Sequence, residues 1–289
     1  MAEKLTNAEI AGIIIESLPY IKRFVGKIVV VKYGGNAMIN EELKQQVMED
    51  IVLLNLIGVK IVLVHGGGPE INKLMDAMGK EPEFIDGLRV TDKETVDIVE
   101  MVLAGKVNKS LVKFIDMKGG KAIGLSGIDG KLIEAKFKNE KLGYVGEITK
   151  INIEPVFDLL DKGYIPVIST IACDDEGNTY NINGDTAAAR IAAALEADRL
   201  LMMTDIEGIL YNKDDPSTLI SELTPEKAAK LRDEGIISGG MIPKVECCID
   251  AINNGVNNVV IMDGRIPHSI LIELLTDEGA GTMFTGGKQ

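Results

Sequence analysis

The sequence is poor in several residue types, and each shortage excludes a class of protein. It has no tryptophan, two histidines and three cysteines among 289 residues. Two histidines are too few for a His-based metal site, and Cys173, Cys247 and Cys248 lack the CxxC spacing of metal and redox centres. The adjacent Cys247 and Cys248 lie in a helical pattern and are predicted to be core residues. A reduced, cytoplasmic setting is therefore expected.

Positive charge is also scarce. Lysine and arginine number 31 against 44 acidic residues, which gives a net charge of −13. This balance argues against nucleic-acid binding and against binding to an anionic membrane surface. No apolar run approaches the roughly 18 residues of a membrane span, and the first ten residues lack the apolar region of a signal peptide. An anionic ligand would have to be held by a few placed cations and by backbone N–H groups.

The sequence does contain two similar glycine turns. Residues 61–69, IVLVHGGGP, run from a β-branched segment into three glycines and then into a helical pattern. Residues 27–36, KIVVVKYGGN, repeat this arrangement with Lys32 at the end of the apolar run. A strand, a glycine turn and a helix N-terminus together present free N–H groups to an anion. Neither turn fits GxxxxGK[ST] or GxGxxG, so the pattern predicts a phosphate site of another design.

Strand and helix patterns alternate along the chain, which is typical of an α/β fold with an open, mostly parallel central sheet between helices. Residues 131–150 are predicted to form β-hairpins. We expect three parts: an N-terminal oligomerisation helix (1–25), an N-terminal lobe (26–176) that binds the amino-acid substrate and dimerises, and a C-terminal lobe (177–289) that binds the nucleotide and an effector.

The N-terminal segment predicts an amphipathic helix kinked by Pro19. The isoleucines 13–15 cannot all face one side of such a helix. A helix that is apolar over so much of its surface favours a second partner, such as another subunit.

Five segments, in order, resemble the acetylglutamate kinases of the amino acid kinase family. They are KYGGN (32–36), VHGGGP (64–69), DGLRVT (86–91), NINGD (181–185) and GGMIPK (239–244). The Lys-x-Gly-Gly opening is shared with aspartate, carbamate and glutamate kinases. GLRVT together with NINGD narrows the resemblance to the acetylglutamate kinases. It implies the two-lobed amino acid kinase fold and phosphorylation of the side-chain carboxylate of N-acetyl-L-glutamate by ATP, a step of arginine biosynthesis.

The resemblance also implies catalytic roles. Lys32 and Lys244 would stabilise the transferred phosphoryl group, and Asp185 would orient both lysines. Two cations on opposite sides of a phosphoryl group suit a transition state whose charge spreads over its oxygens. The alternatives are a solvated Lys32 and an Asp185 that caps a helix. The phosphate-binding residues would be Gly34, Gly35, Gly66 and Gly67.

For the substrate, the fork of Arg89 matches a carboxylate, and the resemblance adds Asn181, Gly67 and Gly68. Asn183 would support the loop, and His65 is interpreted as a structural histidine that bonds the turn. The segment TDIEGIL resembles the nucleotide-binding loop of the family, with contacts expected from Thr204, Asp205, Gly208 and Leu210. A carboxylate with a pKa near ~4 is already ionised, so no general base is needed. Mg²⁺ would be carried by the ATP phosphates, since no acidic cluster suits a metal cage.

Both chain ends resemble those of arginine-inhibited members of the family. The segments are LPYI (18–21) and HSILIELLTDEGAGTM (268–283). They imply an L-arginine site formed by Tyr20, Lys213, His268, Glu273 and Gly281, and a hexamer built from dimers that are joined through interlaced N-terminal helices. An ordinary C-terminal helix and strand is the alternative. For the whole protein, the rivals are another amino acid kinase and a non-catalytic nucleotide sensor on the same fold.

Overall fold

A computed structural model describes residues 5–38 and 40–286 of the chain. Strands form where β-branched and aliphatic residues occur in runs, because these side chains pack well on the pleated surface of a sheet. They are β1 (Ile28–Tyr33), β2 (Lys60–His65), β3 (Phe84–Ile85), β4 (Leu88–Arg89), β5 (Ala122–Ser126), β6 (Ile133–Phe137), β7 (Gly146–Ile151), β8 (Ile165–Ser169), β9 (Ile171–Cys173), β10 (Thr179–Asn181), β11 (Arg199–Thr204), β12 (Glu222–Leu223), β13 (Asn258–Asp263) and β14 (Gly281–Thr285).

Helices connect most of these strands. They are α1 (Asn7–Glu16), α2 (Leu18–Phe24), α3 (Glu41–Leu56), α4 (Gly68–Ala77), α5 (Lys93–Glu100), α6 (Asn108–Met117), α7 (Glu154–Asp161), α8 (Gly184–Ala194), α9 (Pro225–Asp233), α10 (Met241–Asn253) and α11 (Ser269–Leu275). A π-helical turn, Met101–Val107, joins α5 to α6.

An eight-stranded central sheet with the order β12-β14-β13-β11-β1-β2-β8-β5 carries the fold. All strand pairs are parallel except the pair β13 and β14, so the predicted mostly parallel α/β architecture is confirmed. Side chains of successive residues in β1 enter opposite cores: Val29 and Val31 pack on one face of the sheet and Val30 on the other. Such a sheet is buried on both faces, which explains its continuous apolar runs.

A second sheet, with the order β10-β9-β6-β7, lies beside the first. Its strands β6 and β7 pair antiparallel, which confirms the hairpin predicted within residues 131–150. A short separate hairpin of β3 and β4 brings Arg89 to the end of its second strand. These two additions distinguish the molecule from a plain doubly wound sheet.

The N-terminal segment is one helix bent by 38°. The bend falls at Ser17, between α1 and α2, and Pro19 occupies the first turn of α2, which confirms the predicted kink. The isoleucines at positions 13, 14 and 15 are 54%, 61% and 67% exposed, and α1 contains no buried residue. Within this chain, nothing described covers the apolar surface of α1. Among the described helices, none has the length and apolarity to cross a membrane.

Candidate functional site

The carboxyl ends of four neighbouring strands meet at one edge of the central sheet. Lys32 of β1 lies level with Val64 of β2 and Met202 of β11, and Thr204 lies level with Asp263 of β13. Both glycine turns and the 204–210 segment therefore leave the sheet at the same edge, where ligands of open α/β sheets bind.

Two lysines from distant parts of the chain share one carboxylate at this edge. Asp185 Oδ1 lies 3.0 Å from Lys32 Nζ, and Asp185 Oδ2 lies 2.6 Å from Lys244 Nζ. Lys32 ends β1, Asp185 lies in the first turn of α8, and Lys244 lies in the first turn of α10. The three predicted catalytic side chains are thus brought together by three different elements.

Asp185 is not the cap of its helix. Asn183 is the N-cap of α8, and its side-chain oxygen accepts hydrogen bonds from the backbone N–H groups of Asp185 and Thr186 at 3.0 and 3.1 Å. This leaves the Asp185 carboxylate for the lysines and gives Asn183 the supporting role expected of it.

Electrostatics keep the Asp185 carboxylate ionised. Burial alone would raise its pKa, but the positive charges of Lys32 and Lys244 outweigh burial and lower the pKa to about 2. The carboxylate therefore stays charged at all physiological pH values, and it holds both ammonium groups in fixed positions.

The first glycine turn lies against Lys32. A Cβ on Gly34 would lie 2.8 Å from Lys32 Nζ, and Gly35 has a φ of +71° and would place a Cβ 2.8 Å from an Asp205 carboxylate oxygen. A side chain at either position would force the end of the Lys32 or the Asp205 side chain to move, and the positive φ of Gly35 also favours glycine there.

The second glycine turn forms the N-terminus of α4. Gly67 is the N-cap and Gly68 the first residue, so no side chain satisfies the first N–H groups of this helix. A Cβ on Gly67 would lie 2.6 Å from Leu103 Cδ2, in the π-helical turn. His65 bonds the carbonyl of Gly66 through Nδ1 at 2.8 Å, which confirms its interpretation as a histidine that bonds the turn.

A cavity of about 160 Å³ opens beside this turn. Its lining includes Gly66, Gly67, Gly68, Arg89, Asn181 and Asn183. The predicted substrate residues therefore face one space, although they come from α4, β4, β10 and the loop before α8.

Arg89 is buried in this cavity wall and forms no ion pair with a carboxylate of the described residues. Its Nη2 donates to Asn72 Oδ1 at 2.6 Å, and its guanidinium carbon lies 4.8 Å from the centre of the Phe84 ring. Burial lowers the pKa of Arg89. A guanidinium held by an amide and an aromatic ring keeps its positive charge for an incoming anion.

A larger cleft of about 870 Å³ lies on the Lys244 side of Asn183. It is lined by Asp185, Lys244, Gly239 and Gly240, among others. Cys247 also lines it; this residue is only partly buried but packs against the hydrophobic core, so its prediction as a core residue is confirmed in part. The prediction holds for Cys248, which is fully buried.

The four predicted nucleotide residues follow β11. The Thr204 hydroxyl bonds within its own turn, to the backbone of Ile206, and Asp205 lies against Gly35. Gly208 has a φ of +150° and packs against Thr282, and Leu210 bridges to Leu219. The segment therefore borders the first glycine turn, beside Lys32.

Four of the five predicted effector residues surround α11. His268, which precedes α11 with a φ of 56°, bonds Asp50 at 2.6 Å. Glu273 is buried and accepts a hydrogen bond from the Ala280 N–H at 2.9 Å. Tyr20 hydrogen-bonds Asp277, which raises the pKa of its phenol. Gly281 begins β14 behind this helix. The fifth, Lys213, instead donates to the hydroxyl of Ser238, ahead of α10.

Two site residues escaped sequence reasoning. Asn72 holds Arg89, and Asn108 bonds His65 and two strand carbonyls. Asn108 carries a detectable signal, because it is a polar residue within an apolar helical stripe that includes Val107 and Leu111. In the part of the chain that the structure describes, no group of three or more His, Cys, Asp or Glu residues could hold a metal ion.

Comparison with known proteins agrees with this geometry. The sequence pattern of the amino acid kinase family matches residues 27–263. The chain is 56% identical over 281 residues to an acetylglutamate kinase of Clostridioides difficile (strain 630), which covers 97% of this chain and 98% of that protein. It is 54% identical over 276 residues to an acetylglutamate kinase of Caldanaerobacter subterraneus subsp. tengcongensis, at 95% and 92% coverage.

A solved structure shares the fold. It is N-acetylglutamate synthase from Neisseria gonorrhoeae complexed with coenzyme A and N-acetyl-glutamate. The two superimpose with a TM-score of 0.85 at 25% identity, over 96% of this chain. The present chain spans 64% of the length of that synthase.

Proposed function

Since this chain belongs to the amino acid kinase family, and within it to the acetylglutamate kinases, we propose that it transfers the γ-phosphoryl group of ATP to the side-chain carboxylate of N-acetyl-L-glutamate. The observation that carries the proposal is the pair of lysines held by one buried carboxylate. Lys32 Nζ lies 3.0 Å from one Asp185 carboxylate oxygen, and Lys244 Nζ lies 2.6 Å from the other.

The chemistry needs little beyond positioning and charge. The attacking carboxylate is ionised at neutral pH, so no base has to remove a proton. Negative charge spreads over the oxygens of the transferred group, and Lys32, Lys244 and the glycine N–H groups stabilise it. ATP is the co-substrate and brings Mg²⁺ on its phosphates.

The two substrates are assigned to different parts of the site. Acetylglutamate enters the cavity of about 160 Å³, where Arg89 binds its α-carboxylate and Asn181 its amide. Acetylation removes the positive charge of the α-amino group, so an amide suits this position better than a carboxylate. The nucleotide contacts Thr204, Asp205, Gly208 and Leu210. Residues 26–176 then form the acetylglutamate lobe and residues 177–289 the nucleotide lobe.

A coupled ADP-release assay tests the proposal. Acetylglutamate, glutamate, aspartate and carbamate are each supplied with ATP and Mg²⁺, and hydroxylamine trapping identifies any acyl phosphate. Turnover is expected with acetylglutamate at least tenfold above the others in kcat/KM. Preference for another acceptor would identify a different amino acid kinase, and ATP binding without turnover on any acceptor would identify a sensor.

We further propose feedback inhibition by L-arginine in a hexamer built from dimers. The bent helix supports this, because α2 packs on α11 while the apolar surface of α1 has no cover within the chain. The Glu273 side chain, which is 7% exposed, already lies 3.8 Å from the Arg199 guanidinium, so its carboxylate is of the kind that binds an arginine side chain. A contact from α2 to α11 gives the effector a physical route to the subunit interface.

Light scattering and arginine titration test this second proposal. The intact protein is expected to be a hexamer that arginine inhibits, and removal of residues 1–25 is expected to leave an active dimer without inhibition. Glu273→Gln separates the two effects, because it should weaken arginine binding and keep the hexamer. An intact dimer that millimolar arginine does not inhibit contradicts this proposal and leaves the kinase proposal standing.

A further inference from the structure

A buried polar network lies under the second glycine turn, outside the set of residues assigned to catalysis. His65, at the end of β2, is fully buried, and Asn108, the first residue of α6, is 1% exposed. Buried polar groups of this kind persist when each makes its hydrogen bonds, so the geometry of the network fixes the state of each member.

The surroundings of Asn108 identify its amide nitrogen. The atom assigned as Nδ2 lies 2.8 Å from the carbonyl oxygen of Val167 and 3.1 Å from that of Leu125. An oxygen in this place would face two carbonyl oxygens, which repel it. On the other side, Oδ1 accepts a hydrogen bond from Lys109 Nζ at 3.1 Å. The amide therefore has only one satisfied orientation.

This orientation determines the tautomer of His65. Its Nε2 lies 3.1 Å from the Asn108 amide nitrogen, which is a donor, so Nε2 must be the unprotonated acceptor. The single proton then sits on Nδ1, which donates to the carbonyl oxygen of Gly66 at 2.8 Å. A charged imidazole would place two N–H groups face to face. Burial agrees with the neutral form, since it lowers the pKa of His65 to about 4.

The carbonyl of Gly66 belongs to the same peptide plane as the N–H of Gly67. In a trans peptide these two groups point in opposite directions, so an anchored carbonyl fixes the direction of the N–H. The Gly67 N–H therefore points away from His65. Gly66, Gly67 and Gly68 line the cavity of about 160 Å³, whose wall also includes Asn183 and Gly184, the two residues before Asp185. Glycines lack the steric limits that would otherwise hold this peptide, so an external anchor is needed.

The π-helical turn completes the support. It places Leu103 and Val107 so close to Gly67 that a Cβ there would lie 2.6 and 3.2 Å from them, and it delivers Asn108 at its end. Lys106 of the same turn pairs with Glu70 in the first turn of α4 at 2.6 Å. π-helical turns contain an extra residue per turn and often occur at functional sites.

We infer that His65, held in its Nδ1-protonated tautomer by Asn108, is a positioning residue that aims the Gly67 N–H at the transferred phosphoryl oxygens. The inference rests on the proposed phosphoryl transfer, with Gly67 as a phosphate-binding residue, and adds the contacts that orient its N–H. His65 touches no substrate, and it acts through one peptide plane.

Two substitutions of similar size test whether His65 acts through its hydrogen bond to the Gly66 carbonyl or only by filling space. An asparagine amide at position 65 can place its Nδ2 where Nδ1 lies and donate to Gly66, whereas a glutamine reaches the Nε2 position instead. His65→Asn is expected to keep kcat within about threefold of the natural protein. His65→Gln is expected to lower kcat at least tenfold, since a lost oxyanion donor costs on the order of 10²–10³ and a misaimed one costs part of that. KM for ATP should stay within about threefold in both.

Thermal melting of both variants measures the loss of stability that is expected if His65 only fills space. Equal kcat per folded molecule in the two variants, whatever their melting temperatures, overturns the inference. If both fail to fold, selective ¹⁵N-histidine labelling of the natural protein decides, because only His65 and His268 contribute signals. A protonated Nδ1 and free Nε2 at His65 support the inference, and the reverse tautomer overturns it. Absence of acetylglutamate turnover in the natural protein would instead refute the proposed function, leaving this tautomer measurement valid.

Discussion

Replacing Asp185 with asparagine removes one charge and almost no volume. In the structure the carboxylate holds Lys32 Nζ at 3.0 Å and Lys244 Nζ at 2.6 Å, so each oxygen serves one lysine. An asparagine can accept from one ammonium through its oxygen, but its NH₂ group would face the other. One lysine therefore loses its fixed position, and two positive charges remain without their shared counter-ion.

The pKa of Asp185 gives the size of the effect on stability. It is lowered from 3.8 to about 2, a shift that corresponds to about 2 kcal/mol of the free energy of unfolding at neutral pH. A carboxyl whose pKa is lower in the folded state contributes its full stabilisation above its unfolded value. The contribution should be complete above about pH 4 and lost as the pH falls towards about 2, because protonation then favours the unfolded chain.

The effect on turnover should be larger than the effect on stability. A lysine that stabilises the transferred phosphoryl group acts only if its ammonium is in place when charge develops, and loss of one such donor costs on the order of 10²-fold or more in kcat. Asp185→Asn is therefore expected to lower kcat by about 10² while KM for both substrates changes less.

Asp92→Asn is the matched control. Asp92 also has a pKa lowered to about 2, first through its hydrogen bond with Lys80, and it also lies at a helix N-terminus, as the cap of α5. It is exposed and belongs to none of the proposed binding sites. Relative to the natural protein, urea unfolding should show that both variants are less stable at pH 7 and that the difference is smaller at pH 3, because the natural carboxylates lose their stabilisation in acid. The ADP-release assay should show loss of kcat in Asp185→Asn alone. A kcat for Asp185→Asn within threefold of the natural protein would refute the assignment of the shared carboxylate.

Three further predictions follow from the same geometry. Lys32→Ala and Lys244→Ala should each lower kcat by on the order of 10² or more with smaller changes in KM, and near-normal kcat in either would remove that lysine from the site. Arg89→Lys should raise KM for acetylglutamate roughly tenfold and leave KM for ATP nearly unchanged, since a fork becomes a point charge; equal damage to both constants would indicate a structural arginine. Gly67→Ala should cost about 1–3 kcal/mol of unfolding free energy in urea melts, because its Cβ would meet Leu103 at 2.6 Å, and Leu103→Ala in the same chain should recover part of that loss.

Features that are determined by short segments could be predicted from the sequence. The strands β1 and β2 were predictable because their β-branched runs end at paired glycines, and the helix bend because Pro19 cannot continue the i→i−4 ladder. The hairpin of β6 and β7 follows from alternation and glycines within residues 131–150. In each case the physical cause lies within about ten residues of its effect.

Features that depend on contacts across the chain could not be predicted in this way. The antiparallel β14 at the edge of the sheet depends on how the C-terminal segment returns beside β13. Cys247 faces the larger cleft because α10 is rotated by its packing on α8, which no single helical period reveals. Asn72 holds Arg89 only because α4 and the β3–β4 hairpin meet.

The π-helical turn shows why part of the site lies beyond pattern reading. Nothing in the spacing of the apolar residues from Val96 to Leu111 marks an inserted residue. The insertion is favoured only once Gly67 offers room for Leu103 and Val107, and once β5 and β8 offer carbonyls to Asn108. A glycine turn and a helix more than 30 residues further on thus define each other. The motif VHGGGP predicts where an anion binds, while the direction of its N–H groups is set by a helix that the motif does not contain.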